Sequence, residues 1–286
     1  MLDIIIGAVS LGLLWAVMTI GVYITFRILD FADMTAEGTI ALGAAIAAKA
    51  ITDGANPYLA TLLSILGGMT AGLVTGLLHT KLKIPALLSG ILTMIALYSI
   101  NLRVMDRATL SLLRMKTVYT PFENTGLGHN QSAIALGLIC VAVVITLLYW
   151  FFGTEIGCAI RATGNNPNMV RAQGINTNTM KIVGLIISNG LIALSGALIG
   201  QYQTFADVQM GTGAIVIGLA SVIIGEVLFG KKNFYSRLFS LAMGAITYRI
   251  IIALVLKLGM PANDLKLFTA ITVAVALALP IIKSYI

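Results

Sequence analysis

Charged residues are scarce in this sequence: Asp, Glu, Lys and Arg make up 10% of its 286 residues, while hydrophobic residues make up 58%. A soluble domain carries about 25% charged residues, so this chain could not cover its own surface in water. The composition excludes a disordered protein and a secreted disulfide scaffold. The net charge of +7 falls in short loops between apolar runs, which is typical of membrane topology and not of a nucleic-acid-binding surface. We therefore predict a polytopic helical membrane protein with no nucleic-acid partner.

Residues that build catalytic and metal sites are also few. Cys140 lies in an apolar run and Cys158 in a polar loop, while His79 and His129 are far apart; metal ligands come in clusters. The sequence has no HExxH or GxSxG motif. Residues 225–231 read GxxxxGK, but no Ser or Thr follows to hold Mg²⁺ and no strand precedes them. We therefore predict that this chain holds no metal or cofactor and cannot hydrolyse ATP by itself.

Nine apolar runs are candidates to cross a bilayer core, which needs about 20 residues per helix. They comprise residues 3–26, 35–51, 57–79, 84–103, 132–153, 182–204, 211–229, 236–257 and 264–282. The second and the seventh are short and rich in small residues, so each is predicted to be broken or to span only part of the bilayer. The sequence thus predicts an all-α bundle of about nine spans, with residues 1–286 forming one transmembrane domain.

The basic residues give an orientation. If the polar loop 154–181 is cytoplasmic and the sides alternate, the cytoplasmic segments hold ten Lys and Arg residues and the outer segments hold seven. This agrees with the tendency of basic residues to stay inside, and it predicts an external N-terminus and a cytoplasmic C-terminus. The discordant part is the predicted external loop 104–131, because four basic residues lie in or beside it.

Two segments of the chain resemble each other. Phe31-Ala32-Asp33 follows the first run and Phe205-Ala206-Asp207 follows the sixth, and a pair of glycines five residues apart comes shortly after each. Runs one and six lie five crossings apart, so they must point in opposite directions. This predicts an inverted repeat, which in many transporters places the pathway at the repeat interface. The alternative is a chance match in a chain with 29 glycines.

The apolar runs carry small residues at regular spacing and few charges. Ser64, Gly68, Gly72 and Gly76 recur every four residues in the third run, which predicts close packing of helix backbones. Arg249 is the only charge well within a run, and it is either a functional residue or a snorkelling or helix-contact residue. No series of mid-membrane carboxylates is present, which counts against a self-powered secondary transporter.

The loop 154–181 contains the signals of a short helix. Asn166 is a good N-cap, Pro167 suits the first helical position, and Gly174 can supply a left-handed stop after residues 168–173. This helix is too polar to span. Its available contacts are apolar at Met169, Val170 and Ala172 and basic at Arg161 and Arg171. The pattern fits a contact for a partner protein and fits an ordered connector equally well.

The same loop resembles a known family. Residues 157–167 read GCAIRATGNNP and residues 171–176 read RAQGIN, which is similar to the cytoplasmic signature of the ABC importer permeases that serve branched-chain amino acids, ribose and related solutes. Residues 188–201 resemble the next helix of that family, and residues 33–38 resemble its first conserved block. The resemblance extends over about residues 11–280. The short subgroup that this chain resembles most is linked with amino acids, including aromatic ones.

This resemblance implies a passive permease, not an enzyme, in the bacterial inner membrane. Two permease copies would form a homodimer around the solute pathway, and an extracytoplasmic solute-binding protein would deliver the solute to the outer loops. A cytoplasmic ABC ATPase dimer, which would hold ATP and Mg²⁺, would receive the loop helix in a groove. The residues expected to couple the permease to the ATPase are Gly157, Arg161, Gly164, Asn166, Pro167, Met169, Val170, Arg171, Gly174 and Ile175.

Four polar residues within the apolar runs are candidates to line the pathway: Ser89, Thr93, Asn189 and Gln201. The alternative for each of them is an interhelical hydrogen bond. Three other functions remain open from the residues. These are a secondary carrier or channel of the inverted-repeat type, an importer of the same class that carries a sugar or nucleoside, and an intramembrane enzyme or cofactor-binding scaffold. The last would need a titratable cluster at membrane depth, which the sequence does not show.

Overall fold

The computed structural model describes residues 2–230 and 233–257, together with the separate helical residues 267, 270, 271 and 274. The described chain is mostly helical. Its helices are α1 (Leu2–Tyr23, continued by a π-helical segment Ile24–Ile28), α2 (Thr35–Thr52), α3 (Pro57–Thr80), α4 (Ala86–Met105), α5 (Thr120–Glu123), α6 (His129–Gly153), α7 (Glu155–Asn165), α8 (Pro167–Ala172), α9 (Thr177–Gln203), α10 (Ala214–Phe229) and α11 (Phe234–Lys257). Two short strands, β1 (Thr109–Ser111) and β2 (Phe205–Asp207), complete it.

Six of the described helices are long and apolar enough to cross a membrane: Asp3–Ile28, Pro57–Thr80, Ala86–Met105, His129–Gly153, Thr177–Gln203 and Phe234–Lys257. α2 is not among these six, and α10 is a shorter apolar helix of 16 residues. Both helices are continuous, and the prediction that the second and seventh runs cross only part of the bilayer stays a prediction. Only four residues of the predicted ninth run, 264–282, are described, so the count of nine spans stays a prediction.

α1 and α9 pack side by side in opposite directions. The Ser188 hydroxyl of α9 donates to the Gly21 carbonyl oxygen of α1 at 2.7 Å. Further along α9, the Ser195 hydroxyl donates to the Leu14 carbonyl oxygen of α1 at 2.8 Å. Residue numbers rise in α9 as they fall in α1, so the two helices are antiparallel. The opposite directions predicted for the first and sixth runs are confirmed.

Glycines let the backbones of α2, α3 and α9 touch. A Cβ on Gly68 of α3 would overlap the Asn189 carbonyl oxygen of α9, and a Cβ on Gly196 of α9 would overlap the Ile40 carbonyl oxygen of α2. The Ser64 hydroxyl donates to the Gly43 carbonyl oxygen at 2.9 Å. Close approach of this kind holds helices together by dispersion forces in a lipid environment. The close packing predicted from the small residues of the third run is confirmed.

The helical structure is interrupted after α1 and again after α9, and both interruptions contain the same turn. The Asp33 carboxyl accepts from the Thr35 backbone N–H at 3.0 Å, and the Asp207 carboxyl accepts from the Gln209 backbone N–H at 2.8 Å. An aspartate that binds the backbone two residues later forms an Asx turn. The aspartates of the two matching tripeptides therefore form the same turn, although Phe205–Asp207 is a strand and residues 31–33 are not.

α2 and α10 both begin inside the bundle. The Thr39 hydroxyl in the second turn of α2 donates to Asn189, in the middle of α9, at 2.8 Å. After β2 the chain returns toward the same level, where the Gly213 N–H just before α10 donates to the Glu37 carboxyl at 3.0 Å. The first turns of the two short helices therefore meet within the bundle.

The two ends of the bundle differ in structure. At one end, which we call the strand end, β1 and β2 pair antiparallel with Leu110 opposite Ala206. α5 belongs to the same loop, 104–131, so this loop is ordered and includes a strand that the all-α prediction did not contain. At the other end, which we call the helical end, α6 leads into α7 and α8 and the chain returns through α9.

Candidate functional site

The short helix at the helical end has the predicted caps. The Asn166 side chain accepts from the Met169 backbone N–H at 3.1 Å, and Pro167 occupies the first turn of α8. Gly174 has φ +82°, a conformation that costs glycine little and other residues about 1 kcal/mol or more. The local prediction of helix start and stop is therefore confirmed. α7, which precedes it, was not predicted, and its N-cap is Thr154, whose hydroxyl accepts from the Gly157 N–H at 3.3 Å.

Replacing Asn166 by Ala is expected to speed amide exchange in α8 about fivefold, because loss of an N-cap costs about 1 kcal/mol. Hydrogen exchange read by mass spectrometry on a peptide covering 165–175 measures this. Asn168→Ala is the control, since Asn168 is exposed on the same helix. Equal exchange in the two variants would mean that the cap does not hold the helix.

One residue of α8 differs from the prediction. Met169 is 46% exposed, and Arg171 and Ala172 are exposed too, but Val170 is completely buried. Val170 therefore offers no apolar surface to a partner, and its side chain anchors the helix to the rest of the protein. The Arg171 guanidinium donates through Nε to the Thr177 hydroxyl at 2.9 Å, which joins α8 to the start of α9.

α7 is attached firmly to the bundle. A Cβ on Gly164 would overlap the Ile28 carbonyl oxygen at the end of the π-helical segment, and a Cβ on Gly157 would overlap the Phe151 carbonyl oxygen. The guanidinium of Arg161 lies 5.1 Å from the ring centre of Phe234 in α11, a favourable cation–π arrangement. The predicted coupling residues of α7 thus have structural contacts to α1, α6 and α11.

Two polar contacts at the helical end could not be predicted from the sequence. The Arg27 guanidinium pairs with the Glu226 carboxyl at 3.1 Å, and the Glu226 side chain is 6% exposed. The Nζ of Lys181 lies 3.2 Å from the Nε2 of His79, whose Nδ1 lies 2.9 Å from the Ile84 carbonyl oxygen. These partners are about 100 to 200 positions apart in the sequence, so no local motif could have paired them.

Two of the four predicted pathway residues hold helices together by their own hydrogen bonds. The Asn189 amide oxygen accepts from the Thr39 hydroxyl of α2 at 2.8 Å, and its nitrogen donates to the Asp33 carboxyl at 2.8 Å. The Gln201 amide oxygen accepts from the Val118 N–H at 3.0 Å, and its nitrogen donates to the Thr61 hydroxyl at 2.9 Å. Both side chains are completely buried. Both residues therefore make the hydrogen bonds between segments that were given from the sequence as the alternative to a pathway role.

The other two pathway candidates lie in α4. The Thr93 hydroxyl accepts from the Thr75 hydroxyl of α3 at 2.9 Å. The Ser89 hydroxyl donates within its own helix to the Ala86 carbonyl oxygen at 2.8 Å. Thr93 lines a cavity of about 270 Å³ between α2, α3 and α4. A pathway role for all four residues stays a prediction.

A larger cavity of about 520 Å³ lies between α2, α4 and the segment that leads into α10. Its polar lining residues are Glu37, Tyr98, Ser99, Asn101, Gln209 and Thr212, and Met94, Ile95 and Val208 supply apolar walls. Ligand cavities in proteins commonly measure about 300 to 1,000 Å³. None of the four predicted pathway residues lines this cavity, and its lining residues were not predicted as a site.

Arg249 makes a helix contact. Its guanidinium carbon lies 4.2 Å from the ring centre of Trp15, so α11 and α1 meet through a cation–π pair. Such a pair is worth about 2 kcal/mol when it is shielded from water. The helix-contact alternative named for this residue is the one that the structure contains.

The strand end presents an exposed basic and apolar surface. Arg107, Arg114 and Lys116 are exposed, and Leu113 is 67% exposed. The loop that carries them is anchored by Tyr119, whose hydroxyl donates to the Leu198 carbonyl oxygen at 2.9 Å. Burial raises the pKa of the Tyr119 phenol well above its usual value, so this donor keeps its proton.

Comparison with known proteins identifies the family. Residues 4–279 match the family described as the permease component of branched-chain amino acid transport systems. The tyrosine transport system permease protein of Clostridioides difficile (strain R20291) is 45% identical over 274 residues, which cover 96% of this chain and 90% of that protein. The inner membrane ABC transporter permease protein YjfF of Escherichia coli K12 is 27% identical over 243 residues, which cover 83% of this chain and 70% of that protein.

A solved structure shares the fold. PsaBC from Streptococcus pneumoniae in complex with Fab has a TM-score of 0.54 to this chain at 13% identity, and the match covers 96% of this chain and 90% of that one. The family match extends over nearly the whole sequence and includes the loop whose residues carry the resemblance described above. The chain therefore belongs to the branched-chain amino acid type family of ABC transport permeases.

Proposed function

We propose that this permease forms the solute pathway of a binding-protein-dependent ABC importer that carries an amino acid across the bacterial inner membrane. An aromatic amino acid such as tyrosine is the favoured solute, because the relative at 45% identity is named for tyrosine transport. The chain acts as a single transmembrane domain and pairs with a second copy around a shared pathway. Energy and solute capture come from separate partner proteins.

The observation that carries this proposal is the capped and exposed helix α8. Met169 is exposed on this helix, whereas Val170 is buried against the rest of the protein. Arg171 connects the helix to the start of α9 by a hydrogen bond to Thr177. A rigid short helix with a large exposed apolar side chain suits insertion into a groove of another protein. The ATPase dimer supplies that groove and binds ATP and Mg²⁺, so this chain itself needs no cofactor.

The same assignment gives the orientation. The helical end faces the cytoplasm and the strand end faces outward, with an external N-terminus and a cytoplasmic C-terminus. The antiparallel packing of α1 and α9 supports an inverted repeat, because each is followed by an Asx turn and a short helix. In transporters with such repeats, the solute passes near the repeat interface.

The solute-binding protein docks on the strand end through the exposed basic surface. Arg114→Glu with Lys116→Glu is expected to lower the association rate of the binding protein about tenfold at low salt. Reversing these two charges replaces electrostatic attraction of the binding protein by repulsion. Surface plasmon resonance on the purified permease measures the rate. Lys81→Glu with Lys83→Glu makes the same charge change on exposed residues of the opposite end and should leave the rate unchanged. An equal loss in both pairs would place docking elsewhere.

Reconstitution tests the function as a whole. The permease is placed in liposomes with its ATPase and binding protein, and uptake of radiolabelled tyrosine is measured with and without internal ATP. We expect uptake only with ATP, the ATPase and the binding protein together. Uptake by the permease alone would instead show a secondary carrier or channel. If a sugar or nucleoside competes for uptake and amino acids do not, the solute belongs to another chemical class.

A further inference from the structure

The cavity of about 520 Å³ described above, which we call the α4 cavity, lies where two helices begin. Glu37 and Gly38 lie in the first turn of α2, and Thr212 lies just before the first turn of α10. α4 closes the cavity on another side with Tyr98 and Asn101. Polar groups and apolar walls therefore meet in an open cavity beside the outer face of α4, where Ile95 and Tyr98 are exposed.

Asn101 has an unused acceptor at this cavity. The residue is 1% exposed, and its amide nitrogen donates to the Gly38 carbonyl oxygen at 3.3 Å. This bond fixes the amide so that the nitrogen faces Gly38. The amide oxygen is buried and has no hydrogen-bond partner among the described residues. A buried acceptor without a partner costs about 1–3 kcal/mol, so a ligand that donates a hydrogen bond would recover that energy.

Glu37 supplies a second acceptor. One of its carboxyl oxygens accepts from the Gly213 N–H at 3.0 Å, which fixes the side chain against the start of α10. Within the described part of the chain, Glu37 takes part in no ion pair. No lysine or arginine lines the cavity in that part either. The available groups therefore favour a ligand that brings positive charge and N–H donors.

We propose that the α4 cavity is a staging site for the primary ammonium group of the transported solute, held by Glu37 and the amide oxygen of Asn101. An ammonium offers three N–H donors and no acceptor, which matches one acceptor from α2 and one from α4. The apolar wall at Met94, Ile95 and Tyr98 receives the rest of the solute. This inference rests on the proposed function, because it requires a solute with an amino group.

The test uses the reconstituted importer and two variants that remove the acceptors. Glu37→Gln keeps an oxygen for the Gly213 N–H but removes the negative charge, and Asn101→Leu removes the free acceptor. Each is expected to lower tyrosine uptake about tenfold or more, the usual range for a hydrogen bond to a charged group. ATPase stimulation by the loaded binding protein should persist, because docking and coupling lie at the two ends of the bundle. Ser99→Ala, in the same cavity, is the control and should transport normally.

The outcomes separate this inference from the function. If the wild type takes up no amino acid with its partners, the proposed function fails before the variants are compared. If the wild type transports and both variants match it, the function stands and the staging site is wrong. Thermal melting of each variant in detergent checks that a loss of uptake is not a loss of fold.

A lipid is the other source of a primary ammonium, since Ile95 is 60% exposed and Tyr98 is 47% exposed on the outer face of α4. The assay is therefore repeated in liposomes of phosphatidylcholine and phosphatidylglycerol without phosphatidylethanolamine. If the solute occupies the site, wild-type uptake and the loss in both variants remain unchanged. A fall of wild-type uptake to the level of the variants, with no further fall in the variants, would assign the cavity to the lipid headgroup and overturn the proposal.

Discussion

Met169→Glu is expected to reduce ATP-driven uptake about 30-fold or more, the cost of losing an interface hot spot. Met169 is the exposed apolar side chain of α8, at 46% exposure. A carboxylate at this position would have to be buried without a partner in the groove of the ATPase. Uptake into proteoliposomes that contain the ATPase and the binding protein is the measurement.

Met169→Leu is the matched control, because it keeps an apolar side chain of similar volume and should retain most of the uptake. The amount of ATPase that copurifies with each variant gives a second reading, and only the Glu variant should lose it. Normal uptake and normal copurification in Met169→Glu would show that α8 is an ordered connector and not the contact with the ATPase.

Gly164→Ala is expected to destabilise the protein at the helical end, where α8 also lies. A Cβ at Gly164 would overlap the Ile28 carbonyl oxygen, so α7 would have to move away from the end of α1. Overpacking of this kind costs about 1–3 kcal/mol. We expect a Tm in detergent lower by about 3 °C or more. We also expect a loss of uptake, because α8 follows α7 directly and would shift with it.

Gly153→Ala provides the comparison for this change. Gly153 also lies at the helical end, at the last position of α6, but a Cβ there would meet nothing within 4 Å. The two variants make the same chemical change and differ in surroundings. A similar Tm and similar uptake in both would mean that the junction of α7 and α1 tolerates displacement.

Most features that the sequence predicted correctly are local ones. Asn166, Pro167 and Gly174 lie within nine positions of one another, and capping depends on backbone groups of the same turn, so the ends of α8 could be read directly. The small-residue spacing of α3 predicted contact for the same reason, since residues four apart share a helix face. α7 was missed because Gly157 and Gly164 weaken its intrinsic helix propensity, and packing on α1 and α6 compensates.

The α4 cavity could not have been predicted in this way. Glu37, Asn101 and Gly213 come from three distant parts of the sequence, and only the fold brings them together. Asn189 shows the converse. A polar residue in an apolar run is a fair candidate for a pathway, but its actual partners, Asp33 and Thr39, lie about 150 positions away.

The direct contact between the backbones of α2, α3 and α9 also limits how the protein changes shape. Side chains between helices can switch rotamers and let the helices slide, but a carbonyl oxygen pressed on a glycine Cα, as at Gly68 and Gly196, has no such freedom. These three helices should travel as one block. Any rearrangement between inward-open and outward-open forms must then take place at the boundaries of that block with α1, α4 and α10.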